Sequence, residues 1–325
     1  MRVLMGGASG MVGKALSEFL IRHECPVVKL VRRPVQNEIT EIFWDPDKGV
    51  LDESQLEEFD AIIHLGGYNI AKRVWTGRVK RRIKDSRVNS TKLLAEAVAG
   101  LKSKPKIFIT ASGMNIYGYT EGENKPFDEN SPENGTDFLS EVVHDWEKAA
   151  KPARDVGVRV VHARFSAVIG RTGGLLKKVL PVFRMAAGGK LGNGKQIMSW
   201  VDLDDAVEVL WHCMQTETIS GPVNVVSPNP VTNKEFTKAL ARAVGLPAFI
   251  PVPEFIVKTV FGEMGEVLML SSIKCTSSKL NEFEFKYPTI RESLNNQLGT
   301  SVEAKEGEEK APKEEKAEAE GENPT

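Results

Sequence analysis

The chain opens with Val3-Leu4-Met5-Gly6-Gly7-Ala8-Ser9-Gly10-Met11-Val12-Gly13, and this stretch decides the fold. Three apolar residues suit a buried strand. Beyond the glycines, Ala15, Leu16, Phe19 and Leu20 recur at helical spacing. Gly7, Gly10 and Gly13 are spaced GxxGxxG, where the missing side chains permit a tight turn, bring backbone against a pyrophosphate and let helix pack on strand. The helix start then turns its free amides toward the phosphates. Pro26 and a second apolar run, Val27-Val28-Lys29-Leu30-Val31, complete a βαβ unit. A bare glycine triplet also occurs in turns that bind nothing, so the strand before it and the helix after it carry the reading of a nucleotide site.

The second strand ends in Arg32-Arg33-Pro34. An enzyme that prefers NAD usually has an acidic residue there to hold the ribose 2′-hydroxyl. An arginine instead offers a charge-assisted, bidentate bond to a 2′-phosphate, which favours NADP. The plainer reading of the same residues is a solvated basic loop end.

Composition narrows the class. A chain of 325 residues is one large or two modest domains. The formal net charge of −1 hides an asymmetry: residues 299–325 hold nine Glu and four Lys, so residues 1–298 carry +4. That mild excess suits an anionic cofactor and falls well short of a nucleic-acid-binding signature. The acidic tail has no aromatic residue and is expected to be disordered. Three Cys and five His, all scattered, give neither a disulfide framework nor metal-ligand spacing. No apolar run is long enough to span a bilayer, so no membrane partner is expected. The first strand begins at the initiator Met without room for a leader, and the expected compartment is the cytoplasm.

Further apolar strands read out at 42–44, 61–65, 107–110 and 158–161, with helical patterns between most of them. This alternation predicts an α/β fold: a Rossmann-type, doubly wound parallel sheet with both faces covered. The expected division is a nucleotide-binding domain over 1–170, with later segments adding to its sheet, and a smaller C-terminal α/β substrate lobe over 171–298. Asp202, Asp204 and Asp205 suit a helix start. Thr232 with Glu235 reads as a capping box for a helix that Gly245 and Pro247 end.

Several motifs then converge. Asp60-Ala61-Ile62-Ile63-His64-Leu65-Gly66-Gly67, Ser112-Gly113-Met114-Asn115-Ile116-Tyr117-Gly118 and Trp200-Val201-Asp202-Leu203-Asp204-Asp205 join the glycine turn. Together they resemble an extended short-chain dehydrogenase/reductase. Asp137-Phe138-Leu139 followed by Trp146-Glu147, Leu180-Pro181-Val182-Phe183-Arg184, Gly192-Asn193-Gly194-Lys195-Gln196 and Val226-Ser227-Pro228 bring the chain nearer to one branch, the epimerase family proteins of 39U type. The resemblance implies NADP over Gly7, Ala8, Ser9, Gly10, Met11 and Val12. It puts Arg32 at the 2′-phosphate, Leu65 and Gly66 near the adenosine ribose, and Val168 near the nicotinamide. Arg82 and Arg87, in a basic helical stretch, border the adenine end or form a solvent-facing cationic surface.

Ordinary members reduce a carbonyl with a Tyr-x-x-x-Lys pair, the tyrosine as proton donor. Registered on Glu147, the tyrosine position here is Leu139 and the lysine position is Val143, and neither transfers protons. The literal match Tyr68-Asn69-Ile70-Ala71-Lys72 lies on the wrong element. Tyr68 also stands where the family tends to carry an acid, and Gly66 where it carries alanine. The remaining catalytic candidates are Ser112, at a strand's C-terminal end, and Tyr117, each equally well explained as a buried structural hydroxyl. His144, Asp145 and Lys148 read as a solvated face. The resemblance thus implies an NADP-dependent oxidoreductase of a small carbonyl or sugar-like substrate, with an NADP(H)-sensing binding protein as the alternative. Members commonly dimerise through helices, and Val142, Val143 and Trp146 would supply an apolar face for a homodimer or be buried within a monomer.

Overall fold

In the computed structural model, residues 1–120 and 125–299 are described; the expectation about the acidic tail falls outside them. The first half of the chain runs β1 (Val3–Gly6), α1 (Met11–Arg22), β2 (Val27–Val31), β3 (Glu41–Asp45), β4 (Val50–Leu51), β5 (Ala61–His64), α2 (Gly77–Gly100) and β6 (Ile107–Gly113). It continues through α3 (Phe138–Ala149), α4 (Lys151–Asp155), β7 (Arg159–Phe165), β8 (Ala167–Ile169) and α5 (Gly174–Arg184). Then come β9 (Ile197–Met198), β10 (Trp200–Asp202), α6 (Leu203–Gln215), β11 (Gly221–Val225) and β12 (Val231–Thr232). The chain closes with α7 (Asn233–Val244), α8 (Glu254–Phe261), α9 (Glu263–Gly265) and α10 (Ile290–Leu298).

Eight strands form the main sheet in the order β11-β7-β6-β5-β1-β2-β3-β4. Every pair is parallel except β3 with β4. The chain winds outward from β1 through β2 and β3, then returns to β5 and winds the other way. The switch point is therefore the crevice between β1 and β5, where sheets of this kind bind their ligands. Alternation along β1 feeds two cores. Val3 and Met5 pack with Leu16, Leu20, Val209 and Leu210 of α1 and α6. Leu4 packs on the other face with Leu94 and Val98 of α2 and with Trp44. A sheet buried on both faces explains why its strands read as unbroken apolar runs.

The smaller lobe is built on β8 with β10 and on β9 with β12, around Trp200, Phe236, Leu240 and Leu294. The capping box of α7 is present, with Thr232 accepting from Glu235 N–H and the Glu235 side chain accepting from Thr232 N–H. Asp202 caps α6 through Asp204 N–H at 2.8 Å. It also accepts from Ser293 of α10 at 2.6 Å, so the acid at this helix start ties two helices together. Because β11 joins the main sheet and α6 covers α1, residues beyond 170 complete the half built on that sheet.

Val142, Val143 and Trp146 are buried inside the fold. Trp146 Nε1–H donates to Thr91 Oγ1 of α2 at 2.9 Å. These residues therefore present no apolar face to a second copy. Among the described residues no helix is long and apolar enough to cross a membrane, and no group of His, Cys, Asp and Glu could hold a metal ion.

Candidate functional site

Gly7 has φ +82°, a conformation that strains any residue with a side chain. A Cβ there would also lie 2.5 Å from Gly66 N. At Gly13 a Cβ would lie 2.3 Å from the Gly7 carbonyl oxygen. The turn after β1, the turn after β5 and the first turn of α1 thus meet as bare backbone at the switch point. Gly10 is the N-cap of α1, with no side-chain cap and no acid in the first turn. The positive end of the helix and its first amides stay available to an anion.

The smaller lobe closes on the same turn. A Cβ at Gly170 would lie 2.6 Å from Met11 Sδ, and one at Gly173 would lie 3.0 Å from the same atom. Val168 stands just ahead of this glycine loop, on β8 beside Val201. Gly7 to Val12, Leu65, Gly66 and Val168 are therefore brought together. The run Gly170-Arg171-Thr172-Gly173-Gly174 was the available signal for the covering loop, but only its contact with Met11 reveals its use.

The structure separates the two arginines at the end of β2. Arg33 grips Glu41 with both nitrogens, Nη1 to Oε2 at 2.9 Å and Nη2 to Oε1 at 2.6 Å. That fork, with the Gln36 N–H, holds the Glu41 carboxyl down at about 2. Among the described residues Arg32 has only Asp47 within ion-pair distance, at 3.9 Å and itself exposed. Of the two arginines, Arg32 is the more loosely held.

On α2, Arg82 is exposed and lies with Cζ 4.7 Å from the centre of the Tyr68 ring. Arg87 is instead enclosed. Its Nη1 donates to the carbonyls of Tyr68 and Ile83, each at 3.0 Å, and Cζ lies 5.1 Å from the centre of the Trp146 ring. Burial lowers this guanidinium to about 10. With Ser86 Oγ accepting from Tyr68 N–H at 2.9 Å, Arg87 pins the loop that leaves Gly66.

His64 reads in the sequence only as part of a strand-end motif, with no role of its own. It ends β5, 1% exposed, with its ring between Gly6 and Gly66. A Cβ at Gly6 would lie 2.4 Å from His64 Nδ1. Nε2 is 2.7 Å from Ser90 Oγ. The Ser90 hydroxyl donates to the Ser86 carbonyl at 2.8 Å, so Nε2 is the protonated ring nitrogen and Nδ1 keeps a lone pair with no partner among the described residues. Burial, with Arg87 and Arg32 nearby, lowers His64 to about 3 and keeps it neutral.

Where ordinary relatives place their acid–base pair, this chain is apolar and closed. Leu139 packs with Trp75, Ile83, Met264 and Val267. Val143 packs with Met114, Tyr117, Val226 and Cys275. Behind them runs a buried polar network. Arg164, 1% exposed, donates from Nε to Glu147 Oε1 and from Nη2 to Glu147 Oε2, both at 2.8 Å. It also pairs with Glu133. Burial alone would raise Glu147, but Arg164, His162 and Ser112 outweigh it and hold the carboxyl below its ordinary value.

Both catalytic candidates belong to this network. Ser112 Oγ donates to Glu147 Oε1 at 2.5 Å. The Tyr117 hydroxyl donates to Asn224 Oδ1 at 2.8 Å and accepts from Arg164 Nη1 at 2.9 Å. Tyr117 is 2% exposed, and burial pushes its phenol up to about 12 despite Arg164. Both sides of that hydroxyl are engaged within the fold, the arrangement of a structural hydroxyl, one of the two readings of Tyr117. His144, Asp145 and Lys148 sit on the outer face of α3, where Asp145 pairs with Lys84 at 2.5 Å.

A doubly wound sheet, a glycine turn at its switch point and a covering lobe define an extended short-chain dehydrogenase/reductase. The sequence pattern of the NAD dependent epimerase/dehydratase family matches residues 3–226, and a domain of unknown function, DUF1731, matches residues 252–297. The chain belongs to the NAD dependent epimerase/dehydratase family. An epimerase family protein of Mycobacterium leprae is 37% identical over 295 residues, 90% of this chain and 94% of the relative. Human epimerase family protein SDR39U1, solved with NADPH, is 30% identical with a TM-score of 0.83, covering 93% of this chain and 100% of that one. A nucleoside-diphosphate sugar epimerase from Corynebacterium glutamicum is 31% identical with a TM-score of 0.71, covering 92% of this chain and 58% of that one.

Proposed function

We propose that this chain is an NADP(H)-dependent oxidoreductase of a small carbonyl or sugar-like substrate that works without the tyrosine–lysine pair. One observation carries the reading: the positive φ of Gly7 against Gly66, the uncapped start of α1 and the loosely held, exposed Arg32 occur together at the switch point. The human relative's NADPH supports it. A bound nicotinamide dinucleotide supplies or takes up hydride. The amides from Gly7 to Val12 hold its pyrophosphate, Arg32 takes the 2′-phosphate, Leu65 and Gly66 lie by the adenosine ribose, and Val168 borders the nicotinamide side. Arg82 adds positive potential at the rim, while Arg87 keeps the Tyr68 loop in place.

The Ser112 hydroxyl donates its one hydrogen bond to Glu147, so it can accept a hydrogen bond from a substrate hydroxyl but has no donor left for a carbonyl. Tyr117 supports Arg164. In this reading neither hydroxyl is the proton source for a reduced carbonyl.

Calorimetric titration with NADPH and with NADH, repeated on Arg32→Asp, tests the cofactor site. Preferential NADPH binding that the substitution abolishes is expected. Binding of neither nucleotide overturns the reading. Tight NADPH binding with no oxidation by a panel of aldehydes, ketones and keto-sugars would favour a protein that binds NADP(H) and presents its redox state to a partner.

A further inference from the structure

Large apolar side chains that stand singly on a surface need no explanation, but a contiguous group does. Phe249 is 85% exposed, Met185 70%, Phe255 68% and Ile250 56%. They come from three segments that are tied together. Ile250 N–H donates to the Gly188 carbonyl at 3.1 Å, and Val252 N–H to that of Lys190 at 2.9 Å. These bonds lay the 246–253 loop along the stretch that follows Met185. α8 starts directly after it and buries only Val257, leaving Phe255 and Val260 outside. Pro247, Pro251 and Pro253 stiffen the loop, so little further ordering is needed to present its apolar residues.

A cationic rim adjoins this group. A pocket of 570 Å³ joins Phe249 to Lys190, Lys234, Lys238 and Arg242. The last three are four residues apart and form one stripe along α7. Among the described residues none of these four cations has a carboxylate within ion-pair distance.

We propose that this face docks the protein onto an anionic lipid bilayer. Phe249, Ile250 and Phe255 enter the boundary between headgroups and acyl chains, and the α7 stripe lies on the lipid phosphates. A second copy fits poorly, because a two-fold pairing sets the cationic stripe against itself. A protein groove fits less well than a bilayer, since side chains this exposed match a soft apolar interior and need no preformed pockets. Surface docking requires no spanning run, so a composition without one says nothing against it. The inference is independent of the cofactor reading.

Flotation of the full chain with vesicles tests it, using phosphatidylcholine alone and phosphatidylcholine mixed with phosphatidylglycerol. Binding is expected only to the mixed vesicles, and salt weakens it. The double variants Phe249→Ser/Phe255→Ser and Lys234→Glu/Lys238→Glu each reduce it by about tenfold or more, with melting temperature and NADPH affinity unchanged. Emission from Phe249→Trp shifts to the blue when mixed vesicles are added. Each of these results overturns the proposal: no flotation with the mixed vesicles; equal binding to neutral ones; or binding to polyglutamate without flotation, which marks an acidic protein partner. A dimer that persists with vesicles and is lost in the phenylalanine double variant would likewise assign the face to a second copy.

Discussion

Ser112 and Glu147 are joined by a 2.5 Å hydrogen bond within the fold, with Ser112 5% exposed and the Glu147 side chain 13%. The bond spends the serine's proton on a carboxylate that Arg164 already grips with two nitrogens. Replacing Glu147 with Leu leaves the buried Arg164 with Glu133 as its one carboxylate among the described residues, and unfolding stability falls by about 3 kcal/mol or more. Glu147 is held below its ordinary value, so its contribution is complete above the unfolded carboxyl pKa and fades as pH falls through the folded one. Urea unfolding at neutral and acidic pH checks both points; a loss under about 1 kcal/mol would remove the network as a stabilising element.

Tyr117→Phe separates catalysis from support. The variant removes a hydroxyl shared by Arg164 and Asn224, and a loss of about 1–3 kcal/mol is expected. NADPH affinity, and turnover on any substrate found, stay near wild type. A large fall in kcat with unchanged stability would return Tyr117 to the reacting atoms.

Much of this was legible before the structure. Strand, glycines and helix from Val3 to Leu20 carry their own pattern, because each depends on neighbours in sequence. The register on Glu147 likewise found Leu139 and Val143, now seen packed in apolar clusters. What stayed hidden depends on distant partners. Tyr117 meets Asn224 across 107 positions and His64 meets Ser90 across 26, so residue type alone could not tell a proton donor from a scaffold hydroxyl. The face around Phe249 is assembled from segments that only the fold brings together.

Arg32 and Arg33 are adjacent but unlike in commitment, which predicts unlike phenotypes. Arg32→Ala lowers NADPH affinity by about tenfold or more and leaves NADH affinity nearly unchanged, since the 2′-phosphate is the only group that differs. Arg33→Ala frees Glu41 from its fork and changes NADPH affinity less. Equal losses in the two variants, measured by calorimetry, would contradict the division of roles.

His64 makes the last prediction a pH dependence. Its folded pKa is lowered to about 3, first by burial and then by Arg87 and Arg32, while an unfolded histidine titrates near ~6.5. The neutral ring therefore contributes fully above the unfolded value. As pH drops below it, the unfolded chain takes up a proton that the folded chain refuses, and stability falls until the folded pKa is reached. Near pH ~4.5 the loss amounts to roughly 2–3 kcal/mol. His64→Asn removes the titrating group while keeping a polar side chain near Ser90, so its stability declines less over the same interval. The difference between the two unfolding curves isolates His64, because every other titrating group is common to both proteins. Parallel curves would mean that this imidazole is protonated within the fold.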